Sequence, residues 1–130
     1  MQQLPLILVV DDDDEIGMML KVMLEHKEFS VIVCRRAAQI EEILKNNEVN
    51  LIILDMLIAG VKGTDVCTGL KNNKSFAHLP VMIITALPDA ETLCRSAGAD
   101  DFLAKPFEMD HMLLKINSLI NTKQIGRSSI

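Results

Sequence analysis

Four stretches of the sequence end an apolar run on a residue able to do chemistry. Residues 6–10 lead into Asp11 and Asp12, residues 51–54 into Asp55, residues 81–84 into Thr85, and residues 102–104 into Lys105. Three carboxylates, one hydroxyl and one ammonium suit phosphoryl transfer, provided the fold gathers them. Two unit charges about 4 Å apart repel by roughly 4 kcal/mol at an effective dielectric of 20, so carboxylates brought together need a cation. A hard divalent ion such as magnesium, held by carboxylates, a backbone carbonyl and waters, removes that repulsion. The ion and the lysine would then neutralise phosphoryl oxygens, the hydroxyl would donate to one, and a carboxylate would be the nucleophile.

Each residue taken alone has a plainer explanation. The acidic run 11–15 could cap a helix and complement its dipole. Asp55 could close a turn, Thr85 could be an ordinary strand-end threonine, and Lys105 before Pro106 a solvated loop lysine. The functional reading rests on all of them falling at the ends of successive strands.

Those ends must be positioned by the elements around them. Apolar runs at 6–10, 31–34, 51–54, 81–84 and 102–104 alternate with helical patterns. Ile16, Met19, Leu20, Met23 and Leu24 repeat at three and four and predict one buried helical stripe. Ile40, Ile43 and Leu44 predict a second helix, Val66, Cys67 and Leu70 a third, and Leu93, Cys94 and Ala97 a weaker fourth closed by Gly98. Met109, Met112, Leu113, Ile116, Leu119 and Ile120 mark the last. Five strands alternating with five helices call for an α/β fold, a parallel sheet covered on both faces. The flavodoxin-like (βα)5 order 2-1-3-4-5 is the expected topology, and it brings the carboxyl ends of the strands to one edge, where ligands bind.

Composition narrows the function. The 130 residues fit one domain, read as 1–121 followed by a flexible polar tail or linker start over 122–130. Four Phe with no Trp or Tyr argue against base-stacking platforms, and a net charge of −5 argues against a surface for direct nucleic-acid binding. Cys34, Cys67 and Cys94 lie in apolar surroundings without metal-binding spacing, which predicts buried free thiols. No segment has the length of a membrane span, and a cytoplasmic setting is expected. His26, His78 and His111 read as surface residues.

The motifs ILVVDDDDEI, LIILDMLIAGVKG, VMIITAL and GADDFLAKPF, in this order, strongly resemble the receiver domain of two-component response regulators, from about Leu6 to Asn121. The resemblance implies a phosphorylation-driven switch with Asp55 as phosphoacceptor from a sensor histidine kinase or a histidine phosphotransfer domain. It implies magnesium, replaceable by manganese, bound by Asp12, by Asp11 through water, by Asp55 and by the Leu57 carbonyl. Lys105, in a cis bond to Pro106, and Thr85 would contact the phosphate, as would the backbone of small Ala86. Phe102 would rotate as Thr85 moves, altering the surface of the fourth helix, fifth strand and last helix toward a downstream effector or output domain. The chain would be a stand-alone receiver or an N-terminal domain. Asp100 and Asp101, with Lys115 as basic partner, are similar to a pattern in winged-helix regulators that dimerise through that surface, which implies a phosphorylation-dependent homodimer.

Two departures stand out. Ala59 occupies a position where the family usually has proline, so the loop after Asp55 is expected to be less constrained. Leu57 and Leu87 are apolar where polar side chains commonly position the hydrolytic water, which predicts a long-lived acyl phosphate. Three other readings compete. A haloacid-dehalogenase-like phosphatase would use Asp11 in an Asp-x-Asp motif with Asp13, but leaves Asp55 unexplained. A pseudo-receiver would dock partners without taking phosphate, although the acidic set and the lysine are complete. Flavin binding is disfavoured by the acidic loop after the first strand and by the lack of Trp or Tyr.

Overall fold

A computed structural model describes residues 3–128, and side chains as far as residue 121. The elements run β1 (Leu6–Val10), α1 (Asp14–His26), β2 (Ser30–Cys34), a 3-10 turn (Ala37–Gln39), α2 (Ile40–Asn46), β3 (Leu51–Asp55), β4 (Leu57–Ile58), β5 (Val61–Lys62), α3 (Gly63–Lys71), β6 (Val81–Thr85), α4 (Glu91–Ser96), β7 (Asp101–Ala104) and α5 (Met109–Ser128). Helix α5 continues to Ser128, past the Asn121 at which the sequence places the start of a tail. No helix among the described residues is long and apolar enough to cross a membrane.

The five long strands form one parallel sheet in the order β2-β1-β3-β6-β7, the 2-1-3-4-5 arrangement expected. Successive side chains of a strand point to opposite faces, and both faces are covered. Ile7, Val9, Leu51, Ile53, Met82, Ile84 and Leu103 pack with Leu20 and Leu24 of α1 and with Met112, Ile116 and Ile120 of α5. On the other face Leu8, Val10, Ile52, Leu54, Val81 and Ile83 pack with residues of α2, α3 and α4. Burying each such side chain fully is worth about 1.5–3 kcal/mol. This is why the strands read as unbroken aliphatic runs.

Two helices turn differently from their expected stripes. Met19 and Met23 of α1 are exposed together with Met18 and Val22, and the buried residues are Gly17, Leu20 and Leu24. Gly17 permits this rotation, since a Cβ there would stand 2.9 Å from Val33 Cγ1 on β2. Leu93 of α4 is likewise exposed, while Cys94 is buried. All three cysteines are free and buried. Burial pushes the thiols of Cys34 and Cys67 up to about 11, which removes their thiolate reactivity.

The segment after Asp55 corrects an expectation. It is an ordered β-hairpin in which β4 pairs antiparallel with β5, Ile58 opposite Val61 and Leu57 opposite Lys62. The two turn residues, Ala59 (φ 48°) and Gly60 (φ 86°), are both left-handed, as a two-residue hairpin turn requires. Proline, fixed near −65°, cannot occupy the first of these positions. Ala59 therefore marks a different constraint, not a looser one.

Candidate functional site

The acidic run divides its labour. Asp13 is the N-cap of α1, its carboxylate accepting the N–H groups of Glu15 (2.9 Å) and Ile16 (3.1 Å). Asp14 pairs with Arg35 at 2.9 Å on the surface. Capping thus uses Asp13 and leaves Asp11 and Asp12 to the end of β1. It also gives the second acid of the phosphatase motif a structural role.

Asp11, Asp12 and Asp55 each offer a carboxylate oxygen within 4.8 Å of the others, a geometry able to hold a metal ion. Asp11 is 3% exposed and accepts the Asp13 N–H at 2.9 Å. Burial, and then the neighbouring Asp55 carboxylate, hold its carboxyl above the ordinary 3.8, against the lowering effects of the Asp13 N–H and of Lys105. Exposed Asp12 accepts the N–H of Ala59 at 3.0 Å through Oδ2. Half-buried Asp55 accepts the Met56 N–H at 2.9 Å and the Lys105 ammonium at 3.2 Å, both at Oδ1. The donor set is all oxygen, which fits a hard divalent cation.

Beside this cluster opens a largely apolar cavity of about 560 Å3, lined by Asp55, Leu57, Thr85, Ala86, Leu87 and Lys105 among others. The ends of β3, β6 and β7 therefore meet at this cavity, and the end of β1 joins them through the carboxylate cluster. Thr85 is 1% exposed, and its hydroxyl accepts the Leu87 N–H at 3.0 Å, leaving its own proton to donate. The Lys105–Pro106 bond is cis, as expected. Phe102 is not among the residues lining the cavity, and its ring meets the Arg95 guanidinium (5.9 Å to the centroid) and the Lys115 ammonium (5.7 Å). Lys115 pairs with Asp101 of the same chain at 3.0 Å, and Asp100 with Lys71 at 2.8 Å.

Three contributors are not legible in the sequence. Lys62 and Thr64 line the cavity from the hairpin and the start of α3, and Ala59 reaches Asp12 through its backbone. Nothing in the residue types announces them, because the hairpin strands are two residues each, too short for a periodic signal.

A parallel α/β sheet with a carboxylate cluster, a lysine and a buried threonine at its carboxyl edge defines a class: phosphoryl-accepting signalling domains. Residues 7–117 match the response regulator receiver domain family. The chain belongs to that family and is a phosphorylation-dependent switch. It is 35% identical over 118 residues to PetR of Rhodobacter capsulatus, covering 89% of this chain and 48% of that protein. It is 32% identical over 120 residues to the transcriptional regulatory protein GltR of Pseudomonas aeruginosa, covering 91% of this chain and 50% of the relative. The chain thus spans about half the length of these curated relatives. A solved receiver domain protein of Clostridium thermocellum superposes with a TM-score of 0.84 at 28% identity, covering 94% of this chain and 98% of that one.

Proposed function

We propose that Asp55 is the phosphoacceptor, taking its phosphoryl group from the phosphohistidine of a sensor kinase or a histidine phosphotransfer domain. The observation that carries this reading is the convergence of Asp11, Asp12 and Lys105 on Asp55. A carboxylate oxygen of Asp55 attacks phosphorus, the P–N bond to the histidine breaks, and the imidazole nitrogen leaves with the electron pair and takes up a proton. Asp11, Asp12, Asp55 and the Leu57 carbonyl would hold magnesium, with manganese as a substitute. The ion supplies charge neutralisation at the phosphoryl oxygens. The hairpin supports the assignment of Leu57. Gly63 N–H donates to the Met56 carbonyl at 2.6 Å, so in an antiparallel ladder the next pair, Leu57 with Lys62, is a non-bonded one. The Leu57 carbonyl is then left for another partner.

Phosphorylation adds roughly −1.5 to −2 charges to this crevice. Lys105 can follow the new oxygens, the Thr85 hydroxyl can donate to one, and the Ala86 N–H can serve another. Moving a two-state equilibrium from 1:99 to 99:1 takes about 5.5 kcal/mol, and a few charge-assisted hydrogen bonds are of that size. Phe102 on β7 would relay the change to the α4–β7–α5 surface, which would face an effector, an output domain or a second copy of the chain.

Incubation with acetyl phosphate and magnesium, read by intact mass, tests the assignment. The wild type should gain one phosphoryl group, and both Asp55→Asn and removal of magnesium should abolish the gain. Labelling of Asp55→Asn would overturn Asp55 as the acceptor. Failure of the wild type to label would leave the docking module without phosphate chemistry.

A further inference from the structure

The three carboxylates of the cluster differ in what holds them. Asp11 is buried and fixed by the Asp13 N–H, and Asp55 is fixed by Met56 and Lys105. Asp12 is exposed, and among the described residues the hydrogen bond it receives is that from Ala59 N–H, at 3.0 Å across 47 positions of sequence. We propose that Ala59 is a positioning residue for the metal site: its backbone N–H, aimed by the left-handed turn of the β4–β5 hairpin, fixes the carboxylate of Asp12 against the cluster. The proposal rests on the reading of Asp11, Asp12 and Asp55 as a divalent-cation site.

The hairpin is built to aim that N–H. Ile58 is fully buried and anchors β4, while Gly63 N–H closes the base of the hairpin on the Met56 carbonyl at 2.6 Å. A side chain at Gly63 would collide with the Asp55 backbone carbonyl, so the closure also demands glycine there. Within this frame Ala59 at φ 48° and Gly60 at φ 86° turn the chain over in two residues. That turn directs the Ala59 N–H to Oδ2 of Asp12 and leaves the other carboxylate oxygen for a cation.

An exposed aspartate otherwise loses side-chain freedom when it ligates a metal, and prior fixing reduces that cost. Hydrogen bonds that orient metal ligands from outside commonly change affinity by about 10- to 100-fold. Proline lacks the N–H and cannot adopt the positive φ. A residue other than proline at this position is therefore what makes the bond to Asp12 possible, and that bond ties the end of β1 to the loop that follows the acceptor.

The test uses the 130-residue chain with magnesium as the probe, titrated by calorimetry, since the chain has no Trp or Tyr to report binding. Ala59→Pro should weaken magnesium binding by about tenfold, and Ala59→Gly, which keeps both the N–H and the left-handed turn, should stay within about twofold of wild type. Equal affinity in Ala59→Pro and wild type would overturn the proposal. Where Ala59→Pro fails to fold, amide exchange in metal-free protein decides: the Ala59 N–H should exchange about tenfold faster in Asp12→Ala than in wild type. Unchanged exchange would overturn the proposal. A wild-type chain that takes no magnesium overturns the cation-site reading and this inference together, an outcome distinct from a wild type that binds and an Ala59→Pro that binds as well.

Discussion

Two of the side chains beside Asp55 are hydrocarbon. Leu57 is 57% exposed and Leu87 52%, and both line the cavity that Asp55 opens into. Neither can hydrogen-bond a water held in line with the acyl phosphate, so we expect slow hydrolysis. Replacing Leu57 by Asn should shorten the phosphoryl lifetime by about fivefold, the worth of one modest hydrogen bond in the transition state. Loss of the phosphoryl mass over time measures it, and an unchanged lifetime counts against the idea. Asp11 presents the opposite case, a polar group held where burial disfavours its charge. Its folded pKa lies above the unfolded 3.8, so the folded metal-free chain binds its proton more tightly than the unfolded one. The stability it contributes is full below 3.8 and is lost as the pH rises through the folded value. Asp11→Asn should therefore stabilise the metal-free chain at neutral pH, read as a higher midpoint in urea unfolding with a chelator present. A less stable variant would contradict this account. Identical residue types set the limit of legibility here. In a run of four aspartates, only the start of α1 shows that the third is the cap and the first two are free for the site.

At the scale of the element, the sheet was legible because burial on both faces leaves an unambiguous mark: aliphatic runs that do not alternate. Four of the runs end at the carboxyl edge of the sheet, so the candidate residues Asp11, Asp12, Asp55, Thr85 and Lys105 are legible with it. The first helix is less legible. Met19 and Met23 satisfy the apolar spacing, but Gly17 lets α1 approach Val33 closely and rotates both methionines outward. Spacing records residue type, whereas rotation is set by which side chains are small enough to pass. The hairpin escaped altogether, since its signal is a pair of positive φ angles at Ala59 and Gly60. Gly63 offers the sharpest test of this element. A methyl group there would strike the Asp55 carbonyl, and backbone cannot yield as a flexible side chain does. Gly63→Ala should cost about 2 kcal/mol or more in denaturant unfolding. Gly69, whose added Cβ would meet nothing within 4 Å, is the matched control and should gain stability as alanine, as helix propensity dictates. Equal effects at the two sites would mean that the hairpin gives way when crowded.

For the molecule as a whole, the question is whether the switch surface also joins two copies. Asp100, Asp101 and Lys115 resemble a pattern in winged-helix regulators, yet each of these charges already has a partner within the chain. Asp101 holds Lys115, and Asp100 holds Lys71 together with the Val81 N–H at 2.8 Å. A dimer made through α4, β7 and α5 would have to share or exchange Lys115 and Asp101, since the partly buried Lys71 also donates to the Leu79 carbonyl at 2.7 Å. Exposed Leu93 and Leu114 offer apolar area on α4 and α5 that an ion-pair exchange alone does not. The pair Lys115–Asp101 flanks Phe102, so the proposed rotation of that ring would free Lys115 from its cation–π contact. Self-association should then depend on the phosphoryl group. Sedimentation velocity should show a monomer without phosphodonor and a concentration-dependent dimer with acetyl phosphate and magnesium, weakened by Lys115→Ala at unchanged phosphorylation. A phosphorylated chain that stays monomeric at every concentration would confine the switch to a single copy, and its output to a partner of a different kind.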